Sequence, residues 1–115
     1  GFYMKTMEQY ILDAIPYPIM YVDVNHIIRY MNKKAEFYFY EVRGYRDLIG
    51  KNLLDCHDEN IQKMIIRSVE KLKAHGSEIY LGVTTDNLRK YINPVRDENG
   101  ELIGYFERFE LNQEK

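Results

Sequence analysis

Residues 91–110 read YINPVRDENGELIGYFERFE, and this stretch decides the fold. Two segments of alternating character flank Asp97-Glu98-Asn99-Gly100. Glycine adopts a positive φ without steric cost, and asparagine tolerates one better than most residues, so these four residues favour a tight turn. The stretch therefore predicts a β-hairpin of two long strands, Leu88 to Arg96 and Leu102 to Leu111.

Outward from the hairpin, β-branched and apolar segments predict three more strands, at Ile19 to Val24, His26 to Met31 and Ile79 to Thr84. The clearest helix begins after Asp58 and ends before Gly76, a typical C′ residue. One face of this helix is apolar, formed by Ile61, Met64, Ile65, Val69 and Leu72. Asn32 is suited to cap a short helix as far as Tyr38. Residues 45–49 have room for one more helical turn.

An apolar stripe at helical spacing predicts an N-terminal helix over residues 2–14, which Pro16 and Pro18 end. The stripe consists of Tyr3, Met7, Tyr10, Ile11 and Ala14. Two partners suit it: the outer face of the sheet in the same chain, or the same helix of a second copy.

The predicted elements run helix, two strands, a helical middle, then three strands, which indicates the α+β class with an antiparallel sheet. A chain of 115 residues makes one compact domain. We expect a flanking helix at 1–14, a domain at 15–111 and a tail at 112–115 that leads toward an effector.

Composition excludes several classes of function. The net charge of −2 provides no basic field for nucleic acid, and no apolar run is long enough to cross a membrane. No segment of the N-terminus reads as a signal peptide. Cys56 is the one cysteine, which rules out an intrachain disulfide and suits a reducing cytoplasm.

The chain resembles a PAS domain over about residues 11–111. The resemblance is carried, in order, by Ile15-Pro16, Val22-Asp23, Ile27 to Asn32 with Ala35, Leu48-Ile49-Gly50-Lys51, and Pro94-Val95-Arg96-Asp97 through Gly100 and Gly104. Two features depart from the family pattern. Phe39-Tyr40 replaces the usual Gly-Tyr, which arrives later as Gly44-Tyr45, and Glu110-Leu111-Asn112 replaces the closing D-I-T.

The resemblance implies a five-stranded antiparallel sheet in the order 2-1-5-4-3, with short helices enclosing a cavity over one face. Such domains sense a small molecule, light or redox state, or mediate dimerisation, usually without catalysis. We expect the cavity to be lined by Met20, Val22, Ile28, Tyr30, Cys56, His57, Met64, Ile65, Tyr105, Glu107 and Phe109. The alternative for the Met and aromatic residues is plain core packing.

Glu107 is the candidate for ligand recognition. In the last strand it shares one face with Ile103, Tyr105 and Phe109, and the family's inner face lines the cavity. A carboxylate there is unfavourable unless paired or hydrogen-bonded. The alternatives are that the two faces are exchanged, or that Glu107 pairs with a cation at the rim.

The cofactor is left open. Flavin photosensors of the light-oxygen-voltage type carry their reactive Cys directly after Asn, but here Leu53 follows Asn52. We therefore expect no cysteinyl-flavin chemistry. Haem takes a His ligand, for which His26, His57 and His75 are candidates in poorly matching positions.

Three functions follow from these residues. The first is a sensory or regulatory module that binds a small ligand and controls an effector in a longer parent protein. The second is a structural module that forms a homodimer through its N-terminal helix. The third is an enzyme using Glu107, His57 or Cys56, although no motif pairs them, so we expect no enzymatic activity.

Overall fold

A five-stranded antiparallel sheet forms the centre of the molecule in the computed structural model, which describes residues 4–113. Its strands are β1 Ile19–Asp23, β2 Ile28–Met31, β3 Ile79–Val83, β4 Leu88–Arg96 and β5 Leu102–Leu111. They lie in the order β2-β1-β5-β4-β3, as the resemblance predicts. The last strand in sequence is therefore the central strand in space, so any residue of β5 is flanked on both sides.

Helical segments precede the first strand and connect β2 to β3. They are α1 Met7–Ala14, α2 Lys33–Glu36, a π-helix Phe37–Val42, a 3₁₀-helix Leu53–Cys56 and α3 Glu59–His75. The predicted ends of α3 are confirmed. The Asp58 side chain accepts a hydrogen bond from the N–H of Ile61 at 2.9 Å, and Gly76 ends the helix at φ 71°.

The hairpin of β4 and β5 is confirmed at its predicted bounds. Asp97 organises the turn, since its Oδ1 accepts hydrogen bonds from the backbone of Asn99 and Glu101 at 2.8 and 3.0 Å. Gly104 serves a different purpose in β5. A Cβ at this position would collide with the carbonyl of Val22 and the ring of Tyr21, so glycine lets β1 approach β5 closely.

The core lies between the helical segments and one face of the sheet, which we call the inner face. Val22, Ile92 and Tyr105 are completely buried there, in one cluster with Ile65 and Leu72 of α3. Within residues 4–113, no helix is both long enough and apolar enough to cross a membrane.

The N-terminal helix differs from its prediction. It begins at Met7, because Thr6 and Gln9 form a capping box in which each side chain bonds the other residue's backbone. Residues 2 and 3 lie outside the described residues. The apolar stripe faces solvent, with Met7, Tyr10 and Ile11 exposed by 72%, 59% and 57%. The stripe therefore does not cover the chain's own sheet.

The middle of the chain was predicted less well. No helical turn forms at residues 45–49, because Asp47 adopts a φ of 49°, which a right-handed turn excludes. The helix capped by Asn32 does not continue regularly to Tyr38 but widens into the π-helix after Glu36. The 3₁₀-helix was not predicted.

The Asn32 side chain joins four segments of the chain. It is completely buried. Its Oδ1 accepts hydrogen bonds from the N–H of Ile19 at 3.0 Å and of Ala35 at 2.9 Å. Its Nδ2 donates to the carbonyls of Leu12 and Tyr17, each at 2.9 Å. Asn32 therefore fixes α1, the segment after it, β1 and α2 to one another.

We expect Asn32→Ala to lower the free energy of unfolding by about 3 kcal/mol, since two buried N–H groups lose their acceptor. Urea unfolding followed by circular dichroism measures the change. The control is Asn60→Ala on the exposed face of α3, which removes the same group and should be neutral or slightly stabilising. Equal stabilities of the two variants would contradict the role assigned to Asn32.

Candidate functional site

A cavity of about 70 Å³ lies between the inner face of the sheet and the helical segments. The strands and the β3–β4 turn region contribute Met20, Ile28, Thr84, Lys90, Glu107 and Phe109. The helical segments and their connections contribute Tyr38, Phe39, Arg43, Tyr45, Leu48, Leu53, Cys56 and His57. Aromatic rings thus form much of the enclosure, with a few charged groups among them.

Six of the predicted lining residues meet at this cavity: Met20, Ile28, Cys56, His57, Glu107 and Phe109. Five do not line it. Val22, Ile65 and Tyr105 are buried in the surrounding core, where they pack against other side chains. Met64 is partly buried on α3 and outside the lining. For Val22, Ile65 and Tyr105, core packing replaces the predicted cavity contact.

Tyr30 lies on the opposite face of the sheet, contrary to its prediction. Its ring belongs to an apolar groove with Leu12 and Phe106 beside α1. The reason is a β-bulge: Tyr21 pairs with Tyr30 but the next residue, Val22, pairs with Ile28. Arg29 is the extra residue, so the period of two breaks and Tyr30 no longer shares a face with Ile28.

Sequence reasoning missed Lys90, Arg43 and the aromatic residues of the π-helix. A signal for Lys90 existed in the hairpin. The register of β4 and β5 places Lys90 opposite Phe109, on the same face as Glu107. The π-helix had no comparable signal, because its backbone bonding is set by packing rather than by a residue pattern.

Glu107 is held inside by its position in the central strand. It pairs with Met20 of β1 and Ile92 of β4, and only 2% of the residue is exposed. The face predicted for Tyr105, Glu107 and Phe109 is thus the inner one, and the exchanged-face alternative is wrong. Because strands flank β5 on both sides, Glu107 lies in the interior of the sheet and not at its edge.

The partner of Glu107 is Lys90, whose Nζ lies 3.4 Å from Oε1. Charge-assisted hydrogen bonds are usually about 2.7–2.9 Å long. The contact is therefore an ion pair without hydrogen-bond geometry, and Glu107 Oε1 has no hydrogen-bond donor among the described residues. A buried carboxylate oxygen in this condition favours an added donor.

Cys56 and His57 reach the cavity from the end of the 3₁₀-helix. Burial lowers the pKa of His57 below its usual value of 6.5, and the charge of Lys90 lowers it further, against the opposing effect of Glu107. The Cys56 Sγ lies 4.0 Å from the carbonyl of Asn52. In the described part of the chain, no hydrogen bond joins the side chains of Cys56, His57 and Glu107, so the geometry lacks a catalytic pair.

One edge of the cavity is fixed by Tyr38, Arg43 and Asp86. The Tyr38 hydroxyl donates to Asp86 Oδ2 at 2.8 Å, and Arg43 Nη1 donates to that hydroxyl at 3.3 Å. Arg43 also lies 3.5 Å from the Asp86 carboxylate. These contacts join the π-helix to the β3–β4 turn. The charge of Arg43 is offset by the carboxylate of Asp86, which is not part of the cavity lining.

The cavity does not fit a haem or flavin. Drug-sized ligand pockets measure roughly 300–1,000 Å³, several times the volume found here. His26 bonds Tyr105 through its ring at 2.9 Å, and the His75 side chain lies outside the described part of the structure. Across residues 4–113 no cluster of three or more His, Cys, Asp or Glu side chains is placed to hold a metal ion. The absence of cysteinyl-flavin chemistry stays a prediction.

Comparisons with known proteins agree on one fold. A family model described as PAS domain matches residues 9–110. A C-terminal domain from Streptococcus mutans is 19% identical with a TM-score of 0.72, covering 90% of this chain and 81% of that one. The PAS domain of BvgS from Bordetella pertussis is 18% identical with a TM-score of 0.69, at coverages of 94% and 85%.

A sensory box sensor histidine kinase from Vibrio cholerae is 14% identical with a TM-score of 0.61, covering 90% of this chain and 85% of that one. A search of curated proteins finds no match. At these identities the structural likeness concerns the fold.

We expect stability to fall as pH falls through about 6.5. The folded protein resists protonation of His57, whereas the unfolded chain accepts the proton near its ordinary pKa, so acid favours unfolding in this window. Burial also lowers the pKa of His26, so acid destabilises the folded protein through this residue as well. His57→Gln should therefore reduce, but not abolish, the loss of melting temperature between about pH 7.5 and about pH 5.5. Identical pH profiles for the variant and the native chain would contradict this assignment.

Proposed function

Because the chain belongs to the PAS domain family, we propose that it is the sensory input domain of a larger signal-transduction protein. It binds a small ligand in the cavity, catalyses no reaction, and passes the effect of binding to an attached effector. The cytoplasm is its proposed location, supported by the single unpaired cysteine.

The carboxylate of Glu107 carries this proposal. A core built only for stability would bury an apolar residue between Met20 and Ile92. The chain instead places a carboxylate there, in the lining of a cavity, and its Oε1 accepts no hydrogen bond from the described residues. Features that cost stability and point into a cavity are typical of binding sites.

Strand β5 offers the route from the cavity to the effector. Glu107 and Phe109 line the cavity, and the strand ends two residues later at Leu111. Asn112 then bonds Asn87 through both backbone and side chain, at 3.3 and 3.1 Å. A ligand that moves β5 relative to the β3–β4 turn thereby acts on residues 112–115, the proposed tail toward the effector.

A second, compatible role is homodimerisation through α1. The exposed side chains of Met7, Tyr10 and Ile11 form an apolar surface that has no partner among the described residues. An apolar groove lies beside α1, on the same side of the sheet. Its lining consists of Leu12, Ile15, Ile19, Tyr21, Tyr30, Val95 and Phe106. A two-fold axis brings the stripe of one copy to the stripe and groove of the other, which is a self-complementary contact.

Ligand binding is tested with a matched pair of variants at Cys56. Cys56→Met adds two heavy atoms to the cavity lining, whereas Cys56→Ser keeps its size. We expect a dialysable cell extract to shift the amide resonances of cavity residues in the native chain and in Cys56→Ser. Cys56→Met should show no such shifts, because the side chain occupies the cavity. Unshifted spectra in all three proteins, or equal shifts in Cys56→Met, would refute ligand binding in this cavity.

Dimerisation is tested by replacing Met7 and Ile11 together with Glu. Charges on the stripe should convert a dimer into a monomer, measured by light scattering, because burying them is unfavourable. Ile66→Glu is the control: Ile66 is 43% exposed on α3, away from α1, and its variant should remain a dimer. A native chain that is monomeric, or a double variant that still dimerises, would end this proposal.

A further inference from the structure

The most informative unexplained feature is the polar wall of the cavity, formed by Lys90, Glu107 and His57. Within it, Lys90 Nζ and Glu107 Oε1 are 3.4 Å apart, and Oε1 accepts no hydrogen bond. An ionised carboxylate only accepts hydrogen bonds, and an ammonium only donates them. The wall therefore places a carboxylate beside an ammonium, and one carboxylate oxygen, Oε1, is buried without a hydrogen bond.

Charge balance favours a neutral occupant. The charges of Glu107 and Lys90 offset each other at the wall, and Arg43 is offset by Asp86 at 3.5 Å. An added anion would meet the Glu107 carboxylate, and an added cation would meet Lys90. A neutral molecule meets neither penalty and can satisfy both groups.

The size of the cavity restricts the occupant further. Its volume is about 70 Å³, against roughly 300–1,000 Å³ for a pocket that holds a drug-sized ligand. The space therefore suits a molecule of a few heavy atoms. Phe39 and Phe109 also line the cavity and pack against each other edge to face, with ring centroids 6.0 Å apart, so the lining beside the polar wall is aromatic.

We propose that the cavity recognises a small, neutral molecule of the primary amide or urea class. Its N–H donates to the Glu107 carboxylate, and its carbonyl oxygen accepts from Lys90 Nζ. This inference rests on the ligand-binding function proposed above and adds the chemistry of the ligand.

Three probes of one shape test the inference: acetamide, acetone and acetate. All are planar and have four heavy atoms, but only acetamide combines a hydrogen-bond donor with an acceptor and no charge. Titrations of the native chain, followed through the amide resonances of Lys90, Glu107 and Phe109, give the apparent dissociation constants. We expect acetamide to bind at least tenfold more tightly than either of the other two.

Two variants on the same strand locate the effect. Glu107→Gln keeps the size of the side chain but removes the carboxylate, and should weaken acetamide binding at least fivefold. Glu110→Gln makes the same change on the outer face of β5, where Glu110 bonds Tyr91 and Arg108, and should leave acetamide binding unchanged. Circular dichroism verifies that both variants fold.

Several results would overturn the inference. If acetone or acetate bound as tightly as acetamide, recognition by a paired donor and acceptor would be wrong. An unchanged affinity for acetamide in Glu107→Gln would contradict the role of the carboxylate. If none of the three probes bound, the proposed ligand class would be wrong, and water would be the molecule that contacts the polar wall. The probe series on the native chain decides the matter even if Glu107→Gln does not fold. The extract experiment is independent, so a failure of the ligand class is distinguishable from a failure of ligand binding itself.

Discussion

The hydrogen bonds of the Asn32 side chain are the constraint on which the rest of this structure depends. One completely buried amide satisfies the N–H of Ile19 and of Ala35 and the carbonyls of Leu12 and Tyr17. Buried backbone groups need partners, and an amide offers both kinds at one point. The start of β1, the end of α1 and the start of α2 are thereby fixed together, and β1 in turn flanks the strand that carries Glu107.

The central position of β5 explains how a carboxylate stays inside this small domain. A rim position would let Glu107 reach water, but β1 and β4 hold β5 on both sides. The close approach of β1 at Gly104 holds the strand further. Lys90 offsets the charge without supplying a hydrogen bond, so the polar wall remains incomplete. Packing in the surrounding aromatic and aliphatic core offsets the destabilising effect of this buried carboxylate.

Where residue patterns are local and regular, the sequence predicted the structure well. Asp97 and Gly100 predicted the turn of the hairpin, and Asp58 and Gly76 the ends of α3. Alternation along β5 placed Tyr105, Glu107 and Phe109 on one face. Prediction was wrong for Tyr30, because a β-bulge breaks the period of two that the argument assumed. It was wrong for residues 45–49, where Asp47 adopts a positive φ.

The sequence by itself determined the strands, the turn of the hairpin, the capping of α3 and, through the resemblance, the order of the sheet. These follow from turn chemistry and from periods that each segment carries within itself. Only the tertiary structure decided which side chains enclose the cavity and which become core. It also decided that Lys90 lies beside Glu107 without bonding it, and that the stripe of α1 faces solvent. Those outcomes depend on distances between segments far apart in the chain, which no local pattern encodes.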